Sequence, residues 1–489
     1  MSAGPEDNGS LRPRIGLIAG PLVFVTMLVL PAPEGMSEAA WHVAAVAALM
    51  VVWWISEALP IAATALLPIV LFPLLGVSDI AGATTPFANP LIYLFLGGFI
   101  IALGMEQSGL HRRIALTIIR RVGTQPRAII AGFMVAAAFL SMWVSNTATA
   151  MMMLPIALSV TRLVEGEADP AHRSGFALAL LLALAYACNI GGLGTLIGTP
   201  PNALLAAYLL DNHGLEIGFG QWMLVGLPLV IIALPLVFVL LTRVIFRLQI
   251  GELPGGRELI RGELARLGRM DRAEKQVAAI FVLTAALWVT RPLLQTWLPG
   301  LSDTGIAIFG ALLLFVVPTD WREWRFVLSW RDTTRLPWEV LILFGGGLSL
   351  AAGISDSGLA EWIGAAFRQL DGLPVLFLIV LAVSAVIFLT EVTSNTATAA
   401  AFLPILGSVA VGMGLDPIVL AAPAAVAASC AFMLPVATPP NAIVYGSGLV
   451  TIPQMARAGF LINLLMIGLV TGLMSVLLGW IFAADMIPG

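Results

Sequence analysis

Two short polar clusters interrupt long apolar stretches of this chain. A Ser-Asn-Thr cluster at 145–147 lies inside the apolar stretch 128–163, and a second at 394–396 lies inside the stretch 373–412. Hydroxyl and amide oxygens are hard ligands suited to an alkali cation, whereas Asn and Thr donors at a helix N-terminus suit a carboxylate. The residue types at each cluster therefore predict the binding of a small cation together with a carboxylate.

Two Pro-Pro motifs accompany these clusters. Residues 198–202 read Gly-Thr-Pro-Pro-Asn, and residues 437–441 read Ala-Thr-Pro-Pro-Asn. Paired prolines in an apolar helix remove amide donors and so release backbone carbonyls, which add further oxygen ligands. Ser141 and Thr390 stand about one helical turn before the serines of the two clusters. Their hydroxyls either face the same cation or bond to the preceding helical turn.

The motifs occur twice because the chain contains an internal repeat. FLGGFIIALGMEQSGL at 95–110 matches FGGGLSLAAGISDSGL at 344–359, and the segment around the first cluster matches that around the second, both at a shift of 249. The Pro-Pro motifs recur at a shift of 239, because the first half has the longer loop. Ordinary packing between helices explains a single such cluster, but a duplicated set in register indicates a binding site.

Charge is nearly absent from the two clusters. Glu391 is the one acidic residue beside a cluster, and Met142 stands at the equivalent place in the other half. Glu391 is either a structural cap or a charge that tunes the local field. Since neither cluster contains Arg or Lys, we expect a bound dianion to be neutralised mainly by co-bound cations and helix dipoles.

The composition indicates which elements must position these residues. Of the 489 residues, 59% are hydrophobic and 11% are charged, whereas soluble domains carry about a quarter charged residues. We therefore expect an all-α integral membrane protein that crosses the lipid bilayer with about 11 transmembrane helices. The expected crossings are residues 15–31, 40–56, 60–77, 89–107, 174–193, 221–246, 275–296, 303–318, 337–355, 415–436 and 458–484.

The two apolar stretches with polar centres are predicted to be re-entrant helical hairpins. Five crossings separate the two copies of the repeat, so equivalent points lie on opposite sides of the membrane and the repeats are inverted. The segment after the first Ser-Gly-Leu is rich in arginine, whereas its equivalent after Gly358 holds only Arg368. The positive-inside rule then places the N-terminus in the cytoplasm and the C-terminus outside.

This topology predicts four parts of the chain. They are an N-terminal segment with the first helix (1–39), a first inverted repeat (40–247) with hairpin 128–163, a cytoplasmic linker helix (248–274) and a second inverted repeat (275–489) with hairpin 373–412. Inverted repeats with broken helices that meet at mid-membrane are typical of secondary transporters.

Other classes fit the sequence less well. An intramembrane hydrolase would need a base beside Ser145 or Ser394, but the four histidines and the single lysine fall near predicted helix ends, so we expect no enzyme. Oxygen ligands of low symmetry fit occlusion of one substrate better than the ringed filter of a channel. The net charge is −4 and the basic residues are confined to a few segments, so we expect no nucleic-acid partner.

The motifs, their order and their spacing resemble the divalent anion:sodium symporter family over nearly the whole chain. The intact Ser-Asn-Thr in both halves most resembles its bacterial sodium/dicarboxylate branch. The resemblance implies a first sodium ion bound by Ser141, Ser145, Asn146 and Gly198, and a second bound by Thr390, Ser394, Asn395 and Ala437. It implies a substrate held by Asn146, Thr147, Asn395, Thr396, Thr199, Pro200, Thr438 and Pro439.

The resemblance also implies an activity. It predicts symport of C4-dicarboxylates (succinate, fumarate, malate) with at least two sodium ions, by a homodimer in the inner (plasma) membrane whose transport domains move as elevators. A sodium-independent dicarboxylate exchanger of the same family is the alternative. The two complete hydroxyl-amide sets favour the symporter.

Overall fold

The structure is a computed structural model that describes residues 11–123, 125–165, 175–246, 248, 256–367 and 373–482. In the first half the helices are α1 (Leu11–Val29), α2 (Glu38–Ser56), α3 (Ile61–Thr64), α4 (Leu67–Leu74), α5 (Ile80–Thr84), α6 (Pro90–Gln107), α7 (Leu110–Val122), α8 (Pro126–Ser141), α9 (Asn146–Glu165), α10 (Gly175–Gly192), α11 (Pro200–His213) and α12 (Phe219–Val239), which continues as a π-helical turn, Leu240–Ile245.

The linker and the second half are also mainly helical. Their helices are α13 (Gly256–Leu267), α14 (Arg272–Leu294), α15 (Asp303–Val316), α16 (Trp338–Asp356), α17 (Leu359–Phe367), α18 (Val375–Thr390), α19 (Asn395–Gly412), α20 (Ile418–Ala428), α21 (Pro439–Tyr445) and α22 (Ile452–Phe482). A small antiparallel hairpin of β1 (Pro318–Asp320) and β2 (Arg325–Phe326) joins α15 to α16. The all-α membrane class is therefore confirmed.

The number of long apolar helices is smaller than expected. Within the described residues, nine helices are long and apolar enough to cross a membrane, and α19, expected as half of a hairpin, is one of them. Three expected crossings are shorter helices. Residues 60–77 divide into α3 and α4, residues 303–318 form α15, and residues 415–436 form only α20 because the chain leaves the helix after Ala428.

The repeat is visible in the helix boundaries. Helices α8 and α18 each have 16 residues and end at Ser141 and Thr390, and α9 and α19 begin at Asn146 and Asn395. Each pair thus forms two helices interrupted by a short tip. The inversion, the re-entrant character of the hairpins and the domain boundaries remain predictions. Arg368 and residues 249–255 of the expected linker lie outside the described residues.

The Pro-Pro pairs do not interrupt a helix as the sequence suggested. Pro200 and Pro439 are the first residues of α11 and α21, where the missing amide is not needed for an intrahelical bond. The chain unwinds before them instead, at 193–199 and 429–438. The expectation that the prolines themselves release carbonyls was wrong, and the unwound loops supply those carbonyls.

The last helix of each repeat presses on the unwound loop of that repeat. A Cβ atom at Gly226 of α12 would lie 2.4 Å from the Leu193 oxygen, and one at Gly459 of α22 would lie 2.2 Å from the Phe432 oxygen. No side chain fits at such distances, so glycine is required at both contacts. Leu193 and Phe432 are equivalent at the shift of 239, so the last helix of each repeat contacts the same position of its loop.

Helix α13 lies within the expected linker and is fastened to α7. Arg112 forms a salt bridge with Glu263 at 2.7 Å. Arg113 donates to both carboxylate oxygens of Glu274, at 2.7 and 2.9 Å, and to the carbonyls of Leu267 and Gly268. Bidentate pairs of this kind hold a defined geometry, so the linker is attached to the first repeat and to the start of α14.

Candidate cation and carboxylate site

The two Ser-Asn-Thr clusters lie at the N-termini of α9 and α19. In the first, Ser145 ends the tip and its Oγ accepts a hydrogen bond from the Ala148 amide at 3.1 Å. Asn146 and Asn395 are the first residues of their helices. The partial positive charge at a helix N-terminus favours a nearby anion, so both clusters are placed where a carboxylate is stabilised.

The first predicted cation set contains two buried oxygens that have no hydrogen-bond partner among the residues that the structure describes. They are Ser141 Oγ, which has the Cys188 thiol beside it, and Asn146 Oδ1. The Gly198 carbonyl oxygen and Asn146 Oδ1 also converge, since a Cβ atom at Gly192 would lie 3.0 and 3.1 Å from them. Buried polar atoms without a partner cost free energy, and a cation bound between these oxygens would remove that cost.

The equivalent set in the second half is satisfied differently. Thr390 Oγ1 lies 2.8 Å from Asn395 Oδ1 and 2.9 Å from the Ala428 carbonyl oxygen. A hydroxyl has one proton and donates to one of these acceptors at a time. Ala437 is buried at the end of the unwound loop, and Ser394 is half-buried. The structure thus brings Thr390 and Asn395 together, and Ser394 precedes Asn395 in the chain, but among the described residues no side-chain hydrogen bond joins Ser394 or Ala437 to this pair.

Two asparagines that we did not assign to the site hold the unwound loops. Asn202 Nδ2 donates to the carbonyls of Gly192 and Thr195, at 3.2 and 2.8 Å. Asn441 Nδ2 donates to the carbonyls of Ala431 and Leu434, at 3.2 and 3.1 Å. The four carbonyls are equivalent in pairs at the shift of 239. The last residue of each Thr-Pro-Pro-Asn motif therefore shapes the loop that precedes it.

The threonines of these motifs connect the two repeats. Thr199 Oγ1 is 3.1 Å from Ser429 Oγ, and Thr438 Oγ1 accepts a hydrogen bond from Asn189 Nδ2 at 3.1 Å. Sequence reasoning did not assign Asn189 and Ser429 to the site. The available signal was a polar residue in the last turn of an apolar helix, for Asn189, or directly after one, for Ser429. These cross-links place the two unwound loops side by side, at the junction of the two halves.

The remaining predicted substrate residues differ in exposure between the halves. Asn146, Thr147, Asn395 and Pro200 are partly exposed, and Pro439 is exposed. Thr396 is buried, whereas its equivalent Thr147 is not. The two half-sites are therefore similar in residue type and different in access.

Glu391 caps the second unwound loop. Its carboxylate is buried and accepts hydrogen bonds from the amides of Phe432, Met433 and Leu434, at distances from 2.7 to 3.2 Å, and from Asn463 Nδ2 at 2.7 Å. Three successive amides around one carboxylate make a strong, charge-assisted set. Of the two roles considered from the sequence, the structure supports the structural cap.

An arginine side chain from another helix reaches the second tip, although neither cluster itself contains Arg or Lys. Arg12 of α1 donates from Nη2 to the Ile55 carbonyl near the end of α2 and to the Val392 carbonyl in the tip. The sequence offered no signal for this contact, because Arg12 and Val392 are 380 residues apart. The guanidinium adds a positive charge near the N-terminus of α19.

The tips also differ in how they are packed. Trp143 in the first tip stacks with Phe219 and Trp288, at centroid distances of 6.0 and 6.5 Å, and its ring is edge-on to Phe281. Val392, the equivalent residue of the second tip, is 42% exposed. The first tip is therefore packed against α12 and α14, while the second presents a surface.

Comparison with known proteins places the chain in a family. A family model described as the sodium:sulfate symporter transmembrane region matches residues 13–483. Sodium-dependent dicarboxylate transporter SdcS of Staphylococcus saprophyticus is 46% identical over 93% of this chain and 89% of its own length. The protein of the same name from Staphylococcus aureus strain USA300 is 47% identical over 92% of this chain and 88% of its own length.

Solved structures share the fold at low sequence identity. The Alcanivorax borkumensis YdaH transporter matches with a TM-score of 0.61 at 15% identity, over 91% of this chain and 99% of that one. Neisseria gonorrhoeae MtrF matches with a TM-score of 0.59 at 14% identity, over 99% of this chain and 98% of that one. Because the family model covers nearly the whole chain, the resemblance drawn from the motifs is confirmed, and this chain belongs to the divalent anion:sodium symporter family of membrane transporters, which are not enzymes.

Proposed function

We propose that this chain carries C4-dicarboxylates such as succinate, fumarate and malate across a membrane together with sodium ions. The curated relatives that match more than nine-tenths of the chain are sodium-dependent dicarboxylate transporters by name. The observation that carries the proposal is the pair of equivalent tips at the N-termini of α9 and α19, together with two buried oxygens at the first tip that lack a hydrogen-bond partner in the described part of the chain.

The proposed sites follow the repeat. Ser141, Ser145, Asn146 and the Gly198 carbonyl bind the first sodium ion, and Thr390, Ser394, Asn395 and the Ala437 carbonyl bind the second. The buried oxygens of Ser141 and Asn146 support the first site. In the second, sodium would compete with the Thr390 proton for Asn395 Oδ1, because the two oxygens are 2.8 Å apart. The second site therefore needs a small rotation of Thr390 before it can bind.

The substrate lies between the two tips in this proposal. Its two carboxylates contact Asn146 and Thr147 on one side and Asn395 and Thr396 on the other, next to the motifs that begin at Thr199 and Thr438. Two sodium ions balance a dianion, so at least two are expected, and the helix N-termini and Arg12 add further positive potential. A third coupled cation would make transport electrogenic.

Alternating access requires each tip to be packed in one state of the transporter and exposed in another. The first tip is packed through Trp143, whereas the second is partly exposed at Val392. Two equivalent tips in different surroundings support a carrier that exchanges these roles during transport. We propose that the exchange is an elevator movement in a homodimer of the inner membrane, with the N-terminus cytoplasmic, as the family resemblance implies.

The decisive experiment is uptake of labelled succinate by proteoliposomes that contain the full chain. A symporter accumulates succinate when an inward sodium gradient is present and fails when choline replaces sodium. An exchanger takes up label without sodium once the vesicles are preloaded with unlabelled succinate. Competition by excess sulfate or citrate against succinate uptake tells whether the site prefers another anion.

A matched control keeps this experiment specific. Ser145→Ala removes a hydroxyl from the proposed site, while Ser159→Ala removes an exposed hydroxyl of α9, the helix that follows Ser145; the Ser159 hydroxyl donates to the Pro155 carbonyl. We expect loss of sodium-driven uptake in the first variant and normal uptake in the second. Sodium-independent uptake by the wild type would replace the symporter with the exchanger.

A further inference from the structure

The β1–β2 segment carries an unusual group of exposed aromatic side chains. We call residues 318–331 the Trp hairpin. Trp321, Trp324 and Trp330 are 69%, 67% and 70% exposed, although large aromatic side chains are usually buried in part. The segment joins the end of α15 at Val316 to the start of α16 at Trp338, so it connects two apolar helices that we expect to cross the membrane.

The Trp hairpin is an ordered element. Pro318 pairs with Phe326 and Asp320 with Arg325 across the strands. Asp320 Oδ1 accepts hydrogen bonds from the amides of Arg322 and Glu323, at 2.8 and 3.4 Å, which closes the loop. Trp324 has a φ of 50°, which is rare for a bulky residue, and its ring lies 6.3 Å from that of Trp321. The fold therefore holds these rings outward at a cost in backbone strain.

Two arginines of the Trp hairpin have no acidic partner in the part of the chain that the structure describes. Arg325 forms a salt bridge with Glu323, and the neighbouring Arg335 forms one with Glu106. Arg322 and Arg331 are exposed and form no salt bridge with any residue in the described part of the chain. A guanidinium group recognises phosphate oxygens in a bidentate manner, so both are free to bind an anionic group.

The surroundings place the Trp hairpin at the basic end of the molecule. Gln276 near the start of α14 donates to the Val317 carbonyl at 2.6 Å, and that helix begins with Arg272 and Lys275. Two more salt-bridged arginines of this end, Arg112 and Arg113, lie on α7 beside α13 and α14. Basic residues mark the membrane side that faces anionic lipid, and tryptophan is enriched at the level of the headgroups.

We propose that the Trp hairpin binds anionic phospholipid in the leaflet at the basic end of the molecule. Trp321, Trp324 and Trp330 insert among the headgroups, and Arg322 and Arg331 bind the lipid phosphates. The inserted rings stabilise the connection between α15 and α16, and the lipid supplies the anions that these arginines lack within the protein. This binding does not depend on the proposed transport activity.

The test counts lipids bound to the full chain by native mass spectrometry after incubation with phosphatidylglycerol or phosphatidylcholine. We expect preferential retention of phosphatidylglycerol by the wild type. Combined Arg322→Gln and Arg331→Gln should lower that preference several-fold, while Arg162→Gln, which removes an exposed arginine of α9, should leave it unchanged. Combined Arg322→Lys and Arg331→Lys should keep part of it, since charge remains and the bidentate geometry is lost.

Insertion of the rings is tested separately. The triple Phe variant combines Trp321→Phe, Trp324→Phe and Trp330→Phe. Brominated phosphatidylglycerol in nanodiscs should quench the tryptophan fluorescence of the wild type by a larger fraction than that of this variant. Equal phosphatidylglycerol retention in the wild type and in the double Gln variant would overturn the lipid site. Equal quenching of the wild type and the triple Phe variant would overturn insertion of the Trp hairpin.

Discussion

The difference between the two hydroxyls that end α8 and α18 gives the sharpest prediction. Among the described residues, Ser141 Oγ has no oxygen or nitrogen partner and only the Cys188 thiol beside it, whereas Thr390 Oγ1 donates to Asn395 Oδ1 or to the Ala428 carbonyl. Both residues are fully buried. If both are sodium ligands, removal of either hydroxyl weakens sodium binding, but only one removal should destabilise the sodium-free protein.

The magnitudes follow from the hydrogen bonds. Without sodium, Ser141→Ala should leave the free energy of unfolding within about 0.5 kcal/mol of the wild type, because no bond is lost. Thr390→Ala should lower it by about 1–3 kcal/mol, because a buried acceptor loses its donor. Sodium at roughly 100 times its Kd stabilises the wild type by about 2.7 kcal/mol, and each tenfold loss of affinity removes about 1.4 kcal/mol of that gain.

The assay is thermal unfolding of the purified chain in a series of sodium concentrations, with choline holding the ionic strength constant. Thr390→Ser, which keeps the hydroxyl, is the control for the second site and should unfold close to the wild type. The reasoning fails if Ser141→Ala unfolds earlier than the wild type without sodium, because the hydroxyl would then be structural. It fails equally if sodium stabilises Ser141→Ala as much as the wild type.

Three further predictions concern binding, topology and the second loop. Asn146→Ala and Asn395→Ala should each abolish or strongly reduce succinate uptake by correctly folded protein, because each amide is proposed to contact both cation and carboxylate; normal uptake in both variants would remove these residues from the site. Cysteines placed at exposed positions next to the Arg113 and Gly358 ends should react with an impermeant thiol reagent from opposite sides of the membrane, and labelling from one side alone contradicts the inverted repeat. Glu391→Gln should leave one amide of the second loop without an acceptor, which lowers the unfolding midpoint and costs about 1–3 kcal/mol, whereas an unchanged midpoint would show that the carboxylate does not hold the loop.

The contact between Arg12 and the second tip shows where charge reasoning from the sequence stopped. The sequence analysis found no Arg or Lys within either cluster, and this is true of the residues close to them in the chain. The guanidinium arrives from α1, which packs along α2 through the approach of Gly16 to Ser56 and Gly20 to Trp53. A contact between residues so distant in sequence depends on how the helices pack, and no local pattern encodes it.

The sequence by itself determined the membrane class, the duplicated clusters and the family, because hydropathy and a repeat in register are properties of the residue order alone. It also identified Ser141 and Thr390 as equivalent residues one helical turn before the clusters, and the structure shows that α8 and α18 end at these residues. It misplaced the helix breaks, since prolines were assumed to interrupt a helix and instead begin α11 and α21. The sequence pattern of a proline pair is the same in both situations, and only the three-dimensional path of the chain distinguishes them.

Tertiary structure alone decided how the two half-sites differ. Equivalent residues at the shift of 249 have similar chemistry, yet Thr390 is hydrogen-bonded and Ser141 Oγ lacks a hydrogen-bond partner within the described ranges. Trp143 is packed in an aromatic stack while Val392 is partly exposed. A repeat in sequence specifies the same local structure twice, but the neighbours of each copy come from different helices. Those neighbours set burial and hydrogen bonding, and they are known only once the chain is folded.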